Sequence, residues 1–244
     1  MAERVHALAR EIRAYCSEHA DPQQAARYTR YFTEGYDPWG VQQKDPLWNE
    51  KQKAWLEEYE DLGLSGFLFL GELLFRGGKY EEGSLAIRFV AEKREQFDTK
   101  AFCLLAKWFE AGVGNWAHTD VLCGQLIAPL LETRRIGLAA LSDWRGSPFK
   151  YQRRAVPVAM LGLLERNPKI GPLLKFLVPM MMDSGKVVQQ GLGWFLREAW
   201  KKEPRAVEAF LLQWKDRAPR LILQYATEKM TPQARVRFRR GRSR

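Results

Sequence analysis

Histidine and cysteine are scarce: the 244-residue chain holds three of each. His6, His19 and His118 have no second histidine or cysteine at ligand spacing, so a zinc or iron site is not expected. Cys16, Cys103 and Cys123 are odd in number and lack CxxC spacing. They argue against a disulfide framework and are expected as reduced core residues on helices. Long apolar runs are missing too. The most apolar stretch, Ile170 to Met182, contains a glycine, two prolines and a lysine and is too short to span a bilayer. Charges interrupt the first turns, so no secretory signal is visible and a cytoplasmic location is expected. Glycine-rich nucleotide loops, a P-loop and a nucleophile elbow are absent as well, and no cofactor is assigned.

Positive charge and aromatics are plentiful. Hydrophobic residues make up 46% and charged residues 28%, a composition that folds into a globular core rather than remaining disordered. A net charge of +10 and a pI near 9.6 favour a polyanionic partner, either nucleic acid or an anionic membrane surface. Part of that charge is local. The stretch Arg235 to Arg244 holds six arginines and no acid, and without them the formal charge of +10 falls to +4. Residues 233–244 are expected to form a flexible Arg-rich tail to a single domain of residues 1–232. No helix combines a basic face with a bulky apolar one, so membrane binding is disfavoured.

Nearly every segment has helical spacing, and no convincing alternating strand is found. Residues 3–19 carry Val5, Leu8, Ile12 and Tyr15 on one face. Asp21-Pro22 and Asp45-Pro46 each pair an N-cap with proline at the first helical position, the first helix running to Phe32. A turn-rich loop, Gly35 to Gly40, lies between them. Further helices are expected at about 62–76, 79–95, 99–110, 116–131 and 132–144, then after the cap Ser147-Pro148. Gln152 to Pro168 resembles Gln189 to Pro204, a spacing suited to paired-helix repeats. The expected fold is all-α, a HEAT-like or armadillo-type α-solenoid with a concave basic surface. A globular helical bundle is the alternative.

Three positions stand out on these helices. Trp116 and Asp120 are four apart and share a helix face, which suits a cationic, aromatic or sugar-like group. The plain alternative is a core Trp beside a solvated Asp. Arg153 opens a helix where it can meet a phosphate, with Lys150, Arg154 and Arg197 as companions in a phosphate-facing strip. Trp194 lies beside Gly191 and Gly193, which cost about 1 kcal/mol each in a helix and suggest either close helix contact or room beside the Trp.

The segments Ala26-Arg27-Tyr28, Trp116-x-x-x-Asp120, Gln152-Arg153 and Gly193-Trp194-Phe195-Leu196-Arg197-Glu198, followed by Pro204, resemble the AlkD-type DNA alkylation-repair glycosylases. The likeness covers nearly all of residues 1–232. It implies a monofunctional DNA glycosylase that hydrolyses the N-glycosidic bond of N3- or N7-alkylated purines in duplex DNA, acting as a monomer. Asp120, Trp116 and Trp194 would be catalytic, and Arg153, Arg197, Tyr28, Arg154 and Lys150 would hold DNA. The family pattern reads Trp-Asp-x-Val-Asp where this chain has Trp116-Ala117-His118-Thr119-Asp120. His118 is thus a candidate for modulating substrate choice. The alternative function is a catalytically weak or inactive HEAT-like DNA-binding or scaffold protein.

Overall fold

The computed structural model describes residues 1–166 and 169–239. Among these residues there are helices and turns but no strand. The α-helices are α1 (Ala2–Glu18), α2 (Pro22–Thr29), α3 (Pro46–Glu58), α4 (Gly63–Gly77), α5 (Tyr80–Ala91), α6 (Thr99–Ala111), α7 (Trp116–Leu122), α8 (Ala128–Glu132), α9 (Lys150–Ala159), α10 (Gly171–Leu177), α11 (Lys186–Lys202), α12 (Pro204–Trp214), α13 (Arg220–Ala226) and α14 (Pro232–Val236). No helix among the described residues is long and apolar enough to cross a membrane.

Helix starts follow the caps. The Asp21 carboxylate accepts from the backbone N–H of Gln23 at 2.8 Å, Asp45 from Leu47 at 2.9 Å and Asp98 from Ala101 at 2.8 Å. Each satisfies a donor that the first helical turn leaves unpaired. Helix α2 ends at Thr29, short of the expected Phe32, because Tyr31 and Phe32 bond back to Tyr28 and Thr29 in i→i−3 turns. Residues 132–144 also depart from expectation. Arg134 takes a left-handed φ of 58°, and the segment beyond it forms only the 3₁₀ turns Leu138–Leu141 and Asp143–Gly146. Between α7 and α8 the helix widens into a π turn, Cys123–Ile127, just before Pro129, which has no N–H to continue the ladder.

The chain divides into two compact units, Met1–Leu126 and Ile127–Arg244. In the first, α4 packs against α1, α5 and α6. Gly71 lets α6 approach, since a Cβ there would lie 2.1 Å from the Trp108 ring. Trp108 is fully buried, and its indole N–H donates to the Leu68 carbonyl at 3.0 Å. In the second unit, α11 packs against α9, α12 and α13. Here both glycines of α11 mark close helix contact. A Cβ on Gly193 would meet the Tyr225 Cβ at 2.3 Å, and one on Gly191 would sit 3.3 Å from Arg154.

Cys16 and Cys123 are buried as expected, whereas Cys103 is exposed on α6. Apolar neighbours in sequence hid that, because Cys103 falls on the solvent side of an amphipathic helix. The Thr231 hydroxyl caps α14, and Phe238 is buried. Arg240, Arg242 and Arg244 lie outside the described residues, as does Pro168 of the repeat pattern.

Candidate functional site

Asn115 sets up the stretch that carries Trp116 and Asp120. Its side-chain oxygen accepts from the His118 N–H at 2.8 Å and so caps α7. Its Nδ2 donates to the Gly35 carbonyl at 2.9 Å and to His118 Nδ1 at 3.0 Å. One amide therefore ties the helix start to the Gly35–Gly40 loop. Gly35 is needed there: φ is 64°, and a Cβ would lie 2.0 Å from the Gly114 carbonyl oxygen.

That loop carries half of an aromatic wall. Phe32 stacks on Tyr36 with centroids 4.3 Å apart and on Trp116 at 5.5 Å. Tyr80 meets the edges of Phe32 and Tyr36 at 5.6 and 4.9 Å. The Trp116 indole is 40% exposed and donates to the Tyr31 carbonyl at 3.2 Å, so the ring is held against Phe32 while part of it remains open. Around it lies a cleft of about 610 Å³, lined also by Tyr28, Arg27, Lys44 and Ala117. Glu81 forms its base. The buried carboxylate accepts from the N–H groups of Trp39 and Gly40 at 2.8 Å and of Val41 at 3.2 Å. Burial, and the Glu81 charge next, push the Tyr36 phenol up to about 12, so it stays neutral and can donate.

Asp120 is half-buried on α7, one turn beyond Trp116. His118 faces the other way. It is 5% exposed, stacks on Tyr80 at 4.5 Å, and places Nε2 3.0 Å from the Tyr80 carbonyl. With Nδ1 accepting from Asn115, the ring is the neutral Nε2–H tautomer. It lines a different cavity, of about 700 Å³, with Tyr80, Ser84 and Val121, and does not enter the aromatic cleft. Of Ala117 and His118, only Ala117 lines the aromatic cleft.

The protonation of His118 has a measurable consequence. Burial lowers its pKa to about 4, opposed in part by the bond to Tyr80. The folded value lies below the unfolded one, so between pH 6.5 and about 4 only the unfolded chain takes up this proton. Stability from this group is complete above pH 6.5 and is lost as pH falls toward 4, a difference on the order of 3 kcal/mol. Urea denaturation of wild type and His118→Gln at pH 7 and pH 4.5 checks this. The wild type is expected to lose several times more stability than the variant, and equal losses refute it.

In the second unit Trp194 is half-buried on α11. Arg153 is not a solvated phosphate seeker. Its Nε lies 2.6 Å from Asp183 Oδ2, and its Nη1 donates to the Ser147 carbonyl at 2.7 Å. The Arg197 guanidinium is paired with Glu198 at 3.0 Å and with Glu228. Arg154 is 6% exposed and donates to the Val187 carbonyl at 2.8 Å, so it is withdrawn from the DNA-facing set. Lys150 lies over the Tyr151 ring at 5.6 Å. The expected strip is therefore largely charge-compensated. Trp116 and Tyr28 are brought into one cleft, in company with Phe32, Tyr31, Tyr36, Tyr80 and Glu81, none of which stood out in the sequence. The available signal was the density of aromatics from Tyr28 to Trp39.

No group of three or more His, Cys, Asp or Glu side chains able to hold a metal occurs among the described residues. Fold and cleft define an all-helical protein of sequentially packed helices with an aromatic site beside a carboxylate-bearing helix. The chain belongs to the DNA alkylation repair enzyme family, whose model matches residues 12–230. That match includes the Gly35–Gly40 loop. A solved structure described as a predicted DNA alkylation repair enzyme from Enterococcus faecalis superposes with a TM-score of 0.68 at 14% identity. The alignment covers 88% of this chain and 98% of that one, and it supports the all-α, solenoid-like class. None of the curated proteins compared matches the chain significantly.

Proposed function

We propose that the protein is a monofunctional DNA glycosylase that releases N3- or N7-alkylated purines from duplex DNA. The observation that carries this reading is the placement of a partly exposed Trp116 in an aromatic and basic cleft one helical turn from Asp120. Alkylation makes the purine cationic, so the C1′–N bond breaks with its electron pair moving to the base, which leaves neutral. Positive charge then develops on the sugar. The Asp120 carboxylate stabilises it, and a water adds at C1′, giving up its proton to solvent or to Asp120. Trp116 offers a ring face to the developing cation. Lys150, Arg153, Arg197 and Tyr28 contact the backbone, the two arginines acting more through fixed hydrogen-bond geometry than through net charge. The concave basic surface expected of the repeats belongs to this proposal, as does a monomer working in the cytoplasm.

A binder without chemistry is the second reading, favoured by Ala117 standing in the cleft where the family pattern has an acid. Single-turnover assay on N7- or N3-methylated duplex, with protein in large excess, separates the two. Base release above the spontaneous rate is expected. No release at any excess would leave the binder.

A further inference from the structure

The C-terminal segment builds a second cationic site in Ile127–Arg244. A cavity of about 480 Å³ is lined by Arg220, Arg235 and Arg239, with Gln224 at its side and Leu223 and Phe238 at its floor. No carboxylate lines it among the described residues. Four other arginines of the same unit lie against acids instead. Arg153 pairs with Asp183, Arg166 with Glu132, Arg197 with Glu198 and Glu228, and Arg237 with Glu208. Arg220 and Arg239 are both exposed. Arg235 is fixed by its own bonds: Nε donates to the Met230 carbonyl at 3.0 Å and Nη2 to the Glu228 carbonyl at 2.9 Å. The nearby Glu228 carboxylate is already engaged by Arg197 and Lys229.

Three like charges around one cavity repel each other unless an anion joins them. Their arrangement is maintained by packing, since Phe238 is buried and anchors the chain that carries Arg235 and Arg239. The geometry points to a site for the sugar–phosphate backbone of duplex DNA, separate from the aromatic cleft. The guanidinium groups take phosphate oxygens, and the Leu223–Phe238 floor suits the apolar edge of a deoxyribose. Nucleic acid is favoured over a membrane surface because both apolar residues are buried and none of the lining side chains is a bulky exposed apolar group able to enter a bilayer. The inference rests on DNA as the partner in the proposed function, and not on the chemistry at Asp120.

The full chain with R220Q/R239Q is compared with wild type for binding to an undamaged duplex across 50–200 mM salt. A second double variant, K175Q/R205Q, removes the same charge from exposed positions of the same unit. Loss of two phosphate contacts lowers the log–log salt slope by about 1.8, so the affinity ratio between the two salt concentrations shrinks about twelvefold. That change is expected for R220Q/R239Q alone, with the single-turnover rate at saturating protein unaltered. An unchanged slope, or an equal drop in K175Q/R205Q, overturns the site. Binding of R220Q/R239Q lost on phosphatidylserine vesicles but kept on DNA also overturns it, in favour of a lipid surface. If wild type binds duplex with the full slope yet releases no base, the glycosylase reading fails while this site stands.

Discussion

Replacing Asp120 by Asn is expected to reduce release of N7- or N3-methylated purines by two to three decades while changing duplex affinity less than about twofold. Each decade corresponds to about 1.4 kcal/mol of transition-state stabilisation, and a preorganised charge beside a developing cation supplies about 3–4 kcal/mol in comparable sites. Asn keeps the size and shape of Asp and the half-buried position on α7, so the fold is preserved. The negative charge alone is removed, and its largest effect comes once the sugar turns positive. Ground-state binding therefore survives. Single-turnover excision with saturating protein measures the first effect, and equilibrium binding to the same duplex measures the second. An unchanged excision rate would sink the assignment of Asp120. A loss of affinity as large as the loss of rate would mean that Asp120 positions DNA rather than stabilising charge.

The helices were legible because their starts are written locally. Asp21, Asp45, Asp98 and Asn115 all cap the helices that follow them. The segment after Thr133 misled for the opposite reason: leucine and alanine suggest helix, but the left-handed turn at Arg134 interrupts it. The site was legible only in part. Trp116 and Asp120 are four residues apart, so helical spacing alone pairs them. The wall around Trp116 comes from residues about 80 positions upstream, joined through Tyr31, Phe32 and the Asn115–Gly35 bond. Periodicity carries no trace of such contacts. Separation in sequence also hid partners of the arginines. Asp183 and Glu228 lie 30 and 31 positions from Arg153 and Arg197, and an arginine read without its partner looks available for phosphate. The surroundings of His118 are likewise set by residues distant in sequence. Tyr80, Ser84 and Asn115 occupy its nitrogens.

Glu81→Leu is expected to be the most destabilising single change near the cleft, and its effect on activity follows from the loop it releases. One buried carboxylate satisfies three consecutive backbone donors, those of Trp39, Gly40 and Val41. The local chain offers no replacement, because the turn that presents these N–H groups depends on Gly40 at φ 88°, whose absent Cβ would lie 2.1 Å from the Asp21 carbonyl oxygen. Leaving a buried donor unpaired costs about 1–3 kcal/mol, and opening of the loop to water limits the sum to roughly 3–5 kcal/mol. That is a large fraction of the stability of an ordinary domain. Glu81→Gln keeps the acceptor that serves Gly40 and Val41 but turns an NH₂ toward Trp39, so its loss is expected to be smaller. Thermal unfolding should therefore rank wild type above Gln and Gln above Leu. Hydrogen exchange at residues 39–41 should accelerate in the same order. Tyr36 rides on this loop, and without it Phe32 and Trp116 lose the ring that completes their stack. Base release should fall with loop order even though neither variant touches Asp120. A Leu variant that melts and exchanges like wild type would show that the carboxylate is not what holds the loop.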